Sequence, residues 1–250
     1  QIDTGSQQPD SLSIGKNGFI YYRGTPADST TETVRGCDPD LSDCSVLRVE
    51  IDTTIHNPDR LWPTARINSM TADENDVLYV TDGRYSLAAY DLRDVTDNYP
   101  APLGTIAGVG DLDSGNQQRK DLAMDSEGNI YLSDVDFDRV YKFSPSTVVR
   151  NEDGSVDFTP GELVGWMGRC DANLTEFRAC DEVKGTSYGY SCTAARCSVA
   201  QTAGTEPGQF DEPRGIALDA NDVLYVTDYR NFRVQRFTPE GYFAGQAESE

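Results

Sequence analysis

One ten-residue pattern constrains this chain more than any other feature. It runs Asp, polar turn, apolar residue, Tyr, apolar residue, Ser or Thr, Asp, and it occurs three times without a gap: DENDVLYVTD from Asp73, DSEGNIYLSD from Asp125 and DANDVLYVTD from Asp219. A fourth, degenerate copy, GKNGFIYYRG from Gly15, keeps the turn, the apolar run and the Tyr but loses both Asp residues. A strand-sized apolar run bounded by turn residues follows each turn, which reads as a strand. Recurrence at spacings of tens of residues means that each copy buries its apolar faces only by stacking on neighbours.

The fullest copy spans residues 209–243 and sets the unit. Gly215 to Leu218 reads as a strand, Asp219 to Asp222 as a turn, and Val223 to Val226 as a second strand. A turn at Asp228 to Asn231 leads to a third strand, Arg233 to Phe237. Pro239-Glu240-Gly241 then suits a tight turn before a short fourth strand, Tyr242 to Ala244. Arg139 to Phe143 repeats the third strand at the same distance from its Asp, whereas Leu87 to Tyr90 arrives one residue early and without the Arg. In the first copy, Val46 to Ile51 is assigned that place. Four short strands joined by turns make one propeller blade, so the expected fold is an all-β propeller with blades at about 9–53, 64–109, 117–168 and 207–246. The anchors stand 58, 52 and 94 residues apart, more than the roughly 40–50 residues of one blade. Insertions are therefore expected at 25–45, at 94–102 and, largest, at 170–204, within one domain or domain segment covering 1–250.

Composition narrows the partners. Lys and Arg number 21 against 42 Asp and Glu, a formal charge of -21, which repels phosphate backbones and argues against nucleic acid. Apolar runs are strand-sized, so no membrane insertion is expected. The chain opens on Gln1 and not on Met, as a processed or excised segment would. Six cysteines fall in two groups, Cys37 with Cys44, and Cys170, Cys180, Cys192 and Cys197. An even count in polar, Gly-rich surroundings reads as disulfides in an oxidising compartment, whereas a zinc site would call for closely paired cysteine knuckles that are absent. Among the last four, three pairings exist; 170–180 with 192–197 closes the shortest loops. Asn173-Leu174-Thr175 is a sequon, making Asn173 a glycan acceptor in a secreted protein.

The residues Glu212-Pro213-Arg214-Gly215-Ile216-Ala217-Leu218-Asp219, Tyr225 to Asp228 and Asn231 to Phe237 resemble an NHL repeat. The copy ending at Phe143 is similar, the copy at Asp73 less so, and the copy at Gly15 least. The resemblance implies a propeller that usually has six blades, and hence about two more than the four found. It also implies activities to check. Related peptide-amidating lyases need several zinc-binding histidines, and this chain has only His56. Lactonase-type relatives hold calcium in the central channel through carboxylates from several blades, for which Asp73, Asp125 and Asp219 are candidate ligands.

The residues themselves read more simply. Asp73, Asp125 and Asp219 stand in turns, and Asp82, Asp134 and Asp228 are placed to accept backbone N–H bonds in theirs. Tyr79, Tyr131 and Tyr225 are large rings suited to filling gaps between blades. No Ser nucleophile elbow, Walker A loop or EF-hand loop is present. Trp166, Tyr188 and Tyr190, beside the last cysteines, suit either a contact surface or packing of the loop. The expected protein is a secreted or cell-surface, non-catalytic interaction and scaffold propeller, with no required cofactor, in adhesion or in a filament or fibre assembly. Its expected partner is a protein or a surface glycan, met within a larger assembly. A calcium-dependent hydrolase or lactonase is the alternative.

Overall fold

The computed structural model describes residues 8–25, 33–47, 67–81, 87–96, 99–106, 121–168 and 203–248. They form four four-stranded antiparallel sheets, each a meander, and one two-stranded hairpin. The first sheet contains β1 (Gln8–Ile14), β2 (Ile20–Thr25), β3 (Thr33–Cys37) and β4 (Cys44–Leu47), and the second β5 (Ser69–Ala72), β6 (Val77–Thr81), β7 (Leu87–Thr96) and β8 (Tyr99–Thr105). The third contains β9 (Leu122–Met124), β10 (Ile130–Asp134), β11 (Arg139–Phe143) and, after the hairpin of β12 (Thr147–Arg150) and β13 (Val156–Thr159), β14 (Leu163–Gly168). The fourth contains β15 (Pro213–Leu218), β16 (Leu224–Asp228), β17 (Arg233–Phe237) and β18 (Phe243–Glu248). This is the blade construction of a β-propeller.

The described chain divides into two compact units. One holds the first two blades together with Thr147–Pro160; the other holds the third and fourth blades. In the first unit, Tyr21 and Val34 pack with Met70, Ala72, Leu78, Val80 and Tyr90 in one core. In the second, Tyr131, Val140 and Met167 pack with Phe210, Ile216, Leu224, Val226 and Phe237. Each core is thus shared by two blades, as stacking requires.

The turn that begins each repeat has one geometry in all four blades. The backbone N–H of Gly15, Asp73, Asp125 and Asp219 bonds the carbonyl four residues on. Its fourth residue is left-handed in every case: Gly18, Asp76, Gly128 and Asp222 have φ of 84, 61, 85 and 58°. Gly and Asp are among the residues that tolerate this conformation, which is why only these two types stand there. In blades two to four the leading Asp locks the turn. Oδ1 of Asp73 accepts the N–H of Asn75 and of Val77, both at 2.9 Å, and Asp125 and Asp219 repeat this with Glu127 and Asn129, and with Asn221 and Val223. Oδ2 accepts the hydroxyl of the repeat Tyr, at 3.2 Å from Tyr79, 3.0 Å from Tyr131 and 3.5 Å from Tyr225. The Ser or Thr near the end of the second strand ties it to the first: Ser133 accepts the N–H of Asp121, and Thr227 that of Gly215, each twelve residues back.

Asp228, the last residue of the pattern, is a hub. Its fully buried carboxylate accepts the Asp211 N–H, the Asn231 and Gln235 amides and the Arg233 guanidinium at 2.7–3.0 Å. This goes beyond the turn role expected for it.

The structure corrects several boundaries. The third strand of the first blade is Thr33–Cys37, and Val46 and Leu47 end its fourth strand. Residues 33–45 are therefore blade and turn, not an inserted loop. A pattern with only Val34 and Cys37 as large apolar residues carries too little alternation to be read as a strand. Cys37 and Cys44 face each other across that hairpin and are joined by a disulfide. Residues 94–96 and 99–102 are likewise strand, because β7 and β8 pair along a long hairpin. The β12–β13 hairpin is an insertion that the repeat spacing did not reveal. Asp82, His56 and the 170–202 stretch with its four cysteines lie outside the described residues.

Asp228→Ala strands the buried Arg233 charge and should cost about 3–5 kcal/mol, read as a shift in urea midpoint. Tyr131→Phe removes one hydrogen bond and should cost about 1 kcal/mol.

Candidate functional site

The first blade departs from the repeat, and a cleft opens there. At position 15 a Cβ would stand 2.8 Å from the Tyr21 ring and 3.0 Å from the Ala72 Cβ, so the leading Asp of the other copies cannot be accommodated. Asn17 takes over. Its Oδ1 accepts the Phe19 N–H at 3.2 Å, and its Nδ2 donates to the Tyr21 hydroxyl at 2.7 Å. The same amide donates to Oδ1 of Asp76, in the second blade, at 3.2 Å. An equivalent link exists in the other unit, where Ser126 of the third blade donates to Asp222 of the fourth. Burial, together with the nearby charges of Asp76 and Asp73, pushes the Tyr21 hydroxyl pKa up, so this proton is held through the neutral range.

The cleft has a volume of about 560 Å³, within the size range of small-ligand sites. Tyr21, Gly36, Asn17 and Phe19 of the first blade and Leu92 of the second line it, and Phe19 is 42% exposed. Asp76 and Arg93 of the second blade also line it, joined by an ion pair of 2.9 Å. Asp38 and Asp43 stand on the β3–β4 turn that the Cys37–Cys44 disulfide closes. Asp38 accepts the N–H groups of Ser42 and Asp43 and the Ser42 hydroxyl; the Ser42 hydroxyl bond leads in holding its carboxyl below the usual range.

Behind the cleft, Asp91 fixes the strand that carries Leu92 and Arg93. It accepts the Arg93 N–H at 2.9 Å and, while almost fully buried, an ion pair of 2.6 Å from Arg150 on the β12–β13 hairpin. Arg150 also donates to the Asn75 carbonyl. The inserted hairpin thus buttresses one wall of the cleft.

Asp73, Asp125 and Asp219 each stand in the turn of a different blade, and each spends its oxygens on that turn and on its Tyr. Burial raises the pKa of Asp73 in spite of these bonds. In Asp125 the bonds from Asn129 and Tyr131, with the Lys142 charge, outweigh burial and lower it. Among the described residues no three His, Cys, Asp or Glu side chains gather as an ion site. Trp166, which suited either a contact surface or packing, is buried in β14. The Arg139 guanidinium lies 5.0 Å from its ring centre and also covers Phe137 and Tyr141. Asn173, Tyr188, Tyr190, Cys170, Cys180, Cys192 and Cys197 lie outside the described residues.

Asn17, Phe19 and Arg93 escaped the sequence reading. The available signal was the loss of Asp from the copy at Gly15, which showed that this turn differs without showing what the difference builds.

A second charged seam joins the third and fourth blades. Asp138, left-handed at φ 52°, accepts the Glu212 N–H at 2.8 Å. Burial, reinforced by Asp211, Glu212 and Asp134, raises its pKa to about 6.

Comparison with known proteins places these features. Residues 210–237 match the NHL repeat family model. A search of curated sequences found no relative. Among solved structures, an extracellular domain assigned to a one component system of B. thetaiotaomicron superposes with a TM-score of 0.50 at 12% identity, over 97% of this chain and 24% of that one. A streptogramin B lyase gives 0.49 at 10% identity, over 99% of this chain, which spans only 57% of the lyase. Virginiamycin B lyase from Staphylococcus aureus gives 0.47 at 10% identity, over 99% of this chain and 72% of that one. At these identities the likeness concerns the fold alone. Among the described residues, no helix is long and apolar enough to cross a membrane.

Asp138 also sets a pH test. Because its folded pKa exceeds the unfolded value of 3.8, its contribution to stability is fully present below the unfolded pKa and is lost as pH rises through about 6. Asn at this position keeps the acceptor and tolerates the left-handed backbone. Asp138→Asn should therefore stabilise the protein at pH 7.5 by about 1–2 kcal/mol, after discounting for its partial exposure. The gain should vanish near pH 4 in urea titrations run across that range.

Proposed function

Taking as premise that the chain is an NHL-repeat β-propeller, we propose that it serves as a non-catalytic interaction and scaffold module, secreted or displayed at a cell surface. The blades supply a rigid frame, and recognition takes place where the repeat is broken. The carrying observation is the cleft of the first unit: a disulfide-closed turn, an exposed Phe19 and a hairpin-braced wall converge on one concavity. Such a surface binds with little loss of freedom because its parts are already held. A disulfide between facing strands also suits an oxidising compartment. A role in adhesion or in fibre assembly, with a protein partner, follows from this reading.

The calcium-dependent hydrolase is the reading to be excluded by experiment. The module should hydrolyse aryl esters and lactones no faster than buffer, and its melting temperature should not change between millimolar calcium and EDTA. Fragment screening by NMR should shift the resonances of Asn17, Phe19 and Arg93, and reduction of Cys37–Cys44 should abolish those shifts. Lactone hydrolysis above the buffer rate, abolished by EDTA, would overturn the proposal.

A further inference from the structure

We infer that the cleft of the first unit receives a lysine- or arginine-bearing segment of a partner protein, an inference that rests on the interaction-module reading. The cleft's chemistry is layered. Its covered lining is apolar, from the buried Tyr21 ring and half-buried Leu92, and its more open lining carries the exposed Phe19 ring with the carboxylates of Asp38 and Asp43. A lysine or arginine side chain has the same layering, with a methylene stem that seeks apolar contact and a charged end that does not. A cation beside the Phe19 face gains further from the ring quadrupole.

The charges favour a cation over an anion. Arg93 is the cationic side chain lining the cleft, and its guanidinium is engaged with Asp76. Asp76 in turn is occupied on both oxygens, by Asn17 and by Arg93. Asp38 likewise spends both oxygens within its own turn, which leaves the exposed Asp43 carboxylate as the charge that a ligand meets, in a chain whose formal net charge of -21 draws basic partners toward it. The turn that carries both is also fixed in place. Asp38 is held by three hydrogen bonds within its turn, and the disulfide fastens that turn at its base. A volume of about 560 Å³ holds more than one side chain, so a short segment fits better than a free ion.

The test titrates the full chain with an N-acetylated, C-amidated Gly-Lys-Leu-Lys-Gly peptide, and with the same peptide acetylated on both lysines. The lysine peptide should bind, and lysine acetylation should weaken it about 10-fold or more. Asp43→Asn should weaken it about 5-fold, and raising NaCl from 50 to 500 mM should do so to a similar extent. Asp43 donates and accepts through its backbone in the turn, so the variant should keep its melting temperature and its disulfide. Equal binding of both peptides, indifference to Asp43→Asn, or no binding of the lysine peptide each overturns the inference. Binding of the acetylated peptide that disappears in Phe19→Ala would sink the cation preference while sparing the cleft as an interaction site. Calcium-dependent lactone hydrolysis would sink the underlying reading instead.

Discussion

The fold depends on a carboxylate that does three jobs in one turn. In Asp73, Asp125 and Asp219, one oxygen closes the turn by accepting two backbone N–H groups, and the other receives the hydroxyl of a Tyr six residues on. The Tyr ring can then lie in the core without an unsatisfied hydroxyl, which would otherwise cost about 1–3 kcal/mol. Turn, strand register and core packing are therefore one arrangement. A slip of one residue would break all three, since the side chains would change faces.

The first blade shows what happens when that carboxylate is replaced. Gly15 lets the chain approach Ala72 closely, and its backbone neighbour Lys16 donates to the Ala72 carbonyl at 2.8 Å. Asn17 then satisfies Tyr21 from the opposite side and reaches across to Asp76. The substitution keeps the fold and the closed turn, and places Asn17 and Phe19 in the lining of a cleft. Fold and candidate function thus part at a small number of residues, as they do when sites are grafted onto a repeated frame.

Much of the frame was legible in the sequence. Arg139–Phe143 and Arg233–Phe237 occupy the strand positions read from their common distance to the preceding Asp; which face they bury was not legible, since Arg233, Gln235 and Phe237 point inward while Val234 is exposed. The β12–β13 hairpin was not legible: its apolar residues Val148, Val149, Val156 and Phe158 are only partly covered, and it belongs to no repeat. Its function as a brace comes from Arg150 meeting Asp91 across 59 residues, a contact that no local pattern encodes. The choice between contact and packing that the sequence left open at Trp166 is settled by β14, which pairs with β11 and turns the ring inward against Arg139. The cleft was legible only as an anomaly in one copy of the repeat.

Native-state hydrogen exchange measures the turn directly. The N–H groups of Val77, Asn129 and Val223, bonded to their Asp carboxylates, should exchange only through global unfolding, while that of the exposed Phe19, bonded to the Asn17 amide oxygen, should exchange through faster local opening. If Val77 and Asn129 exchanged as fast as Phe19, the carboxylate turn would not be what holds the blades in register.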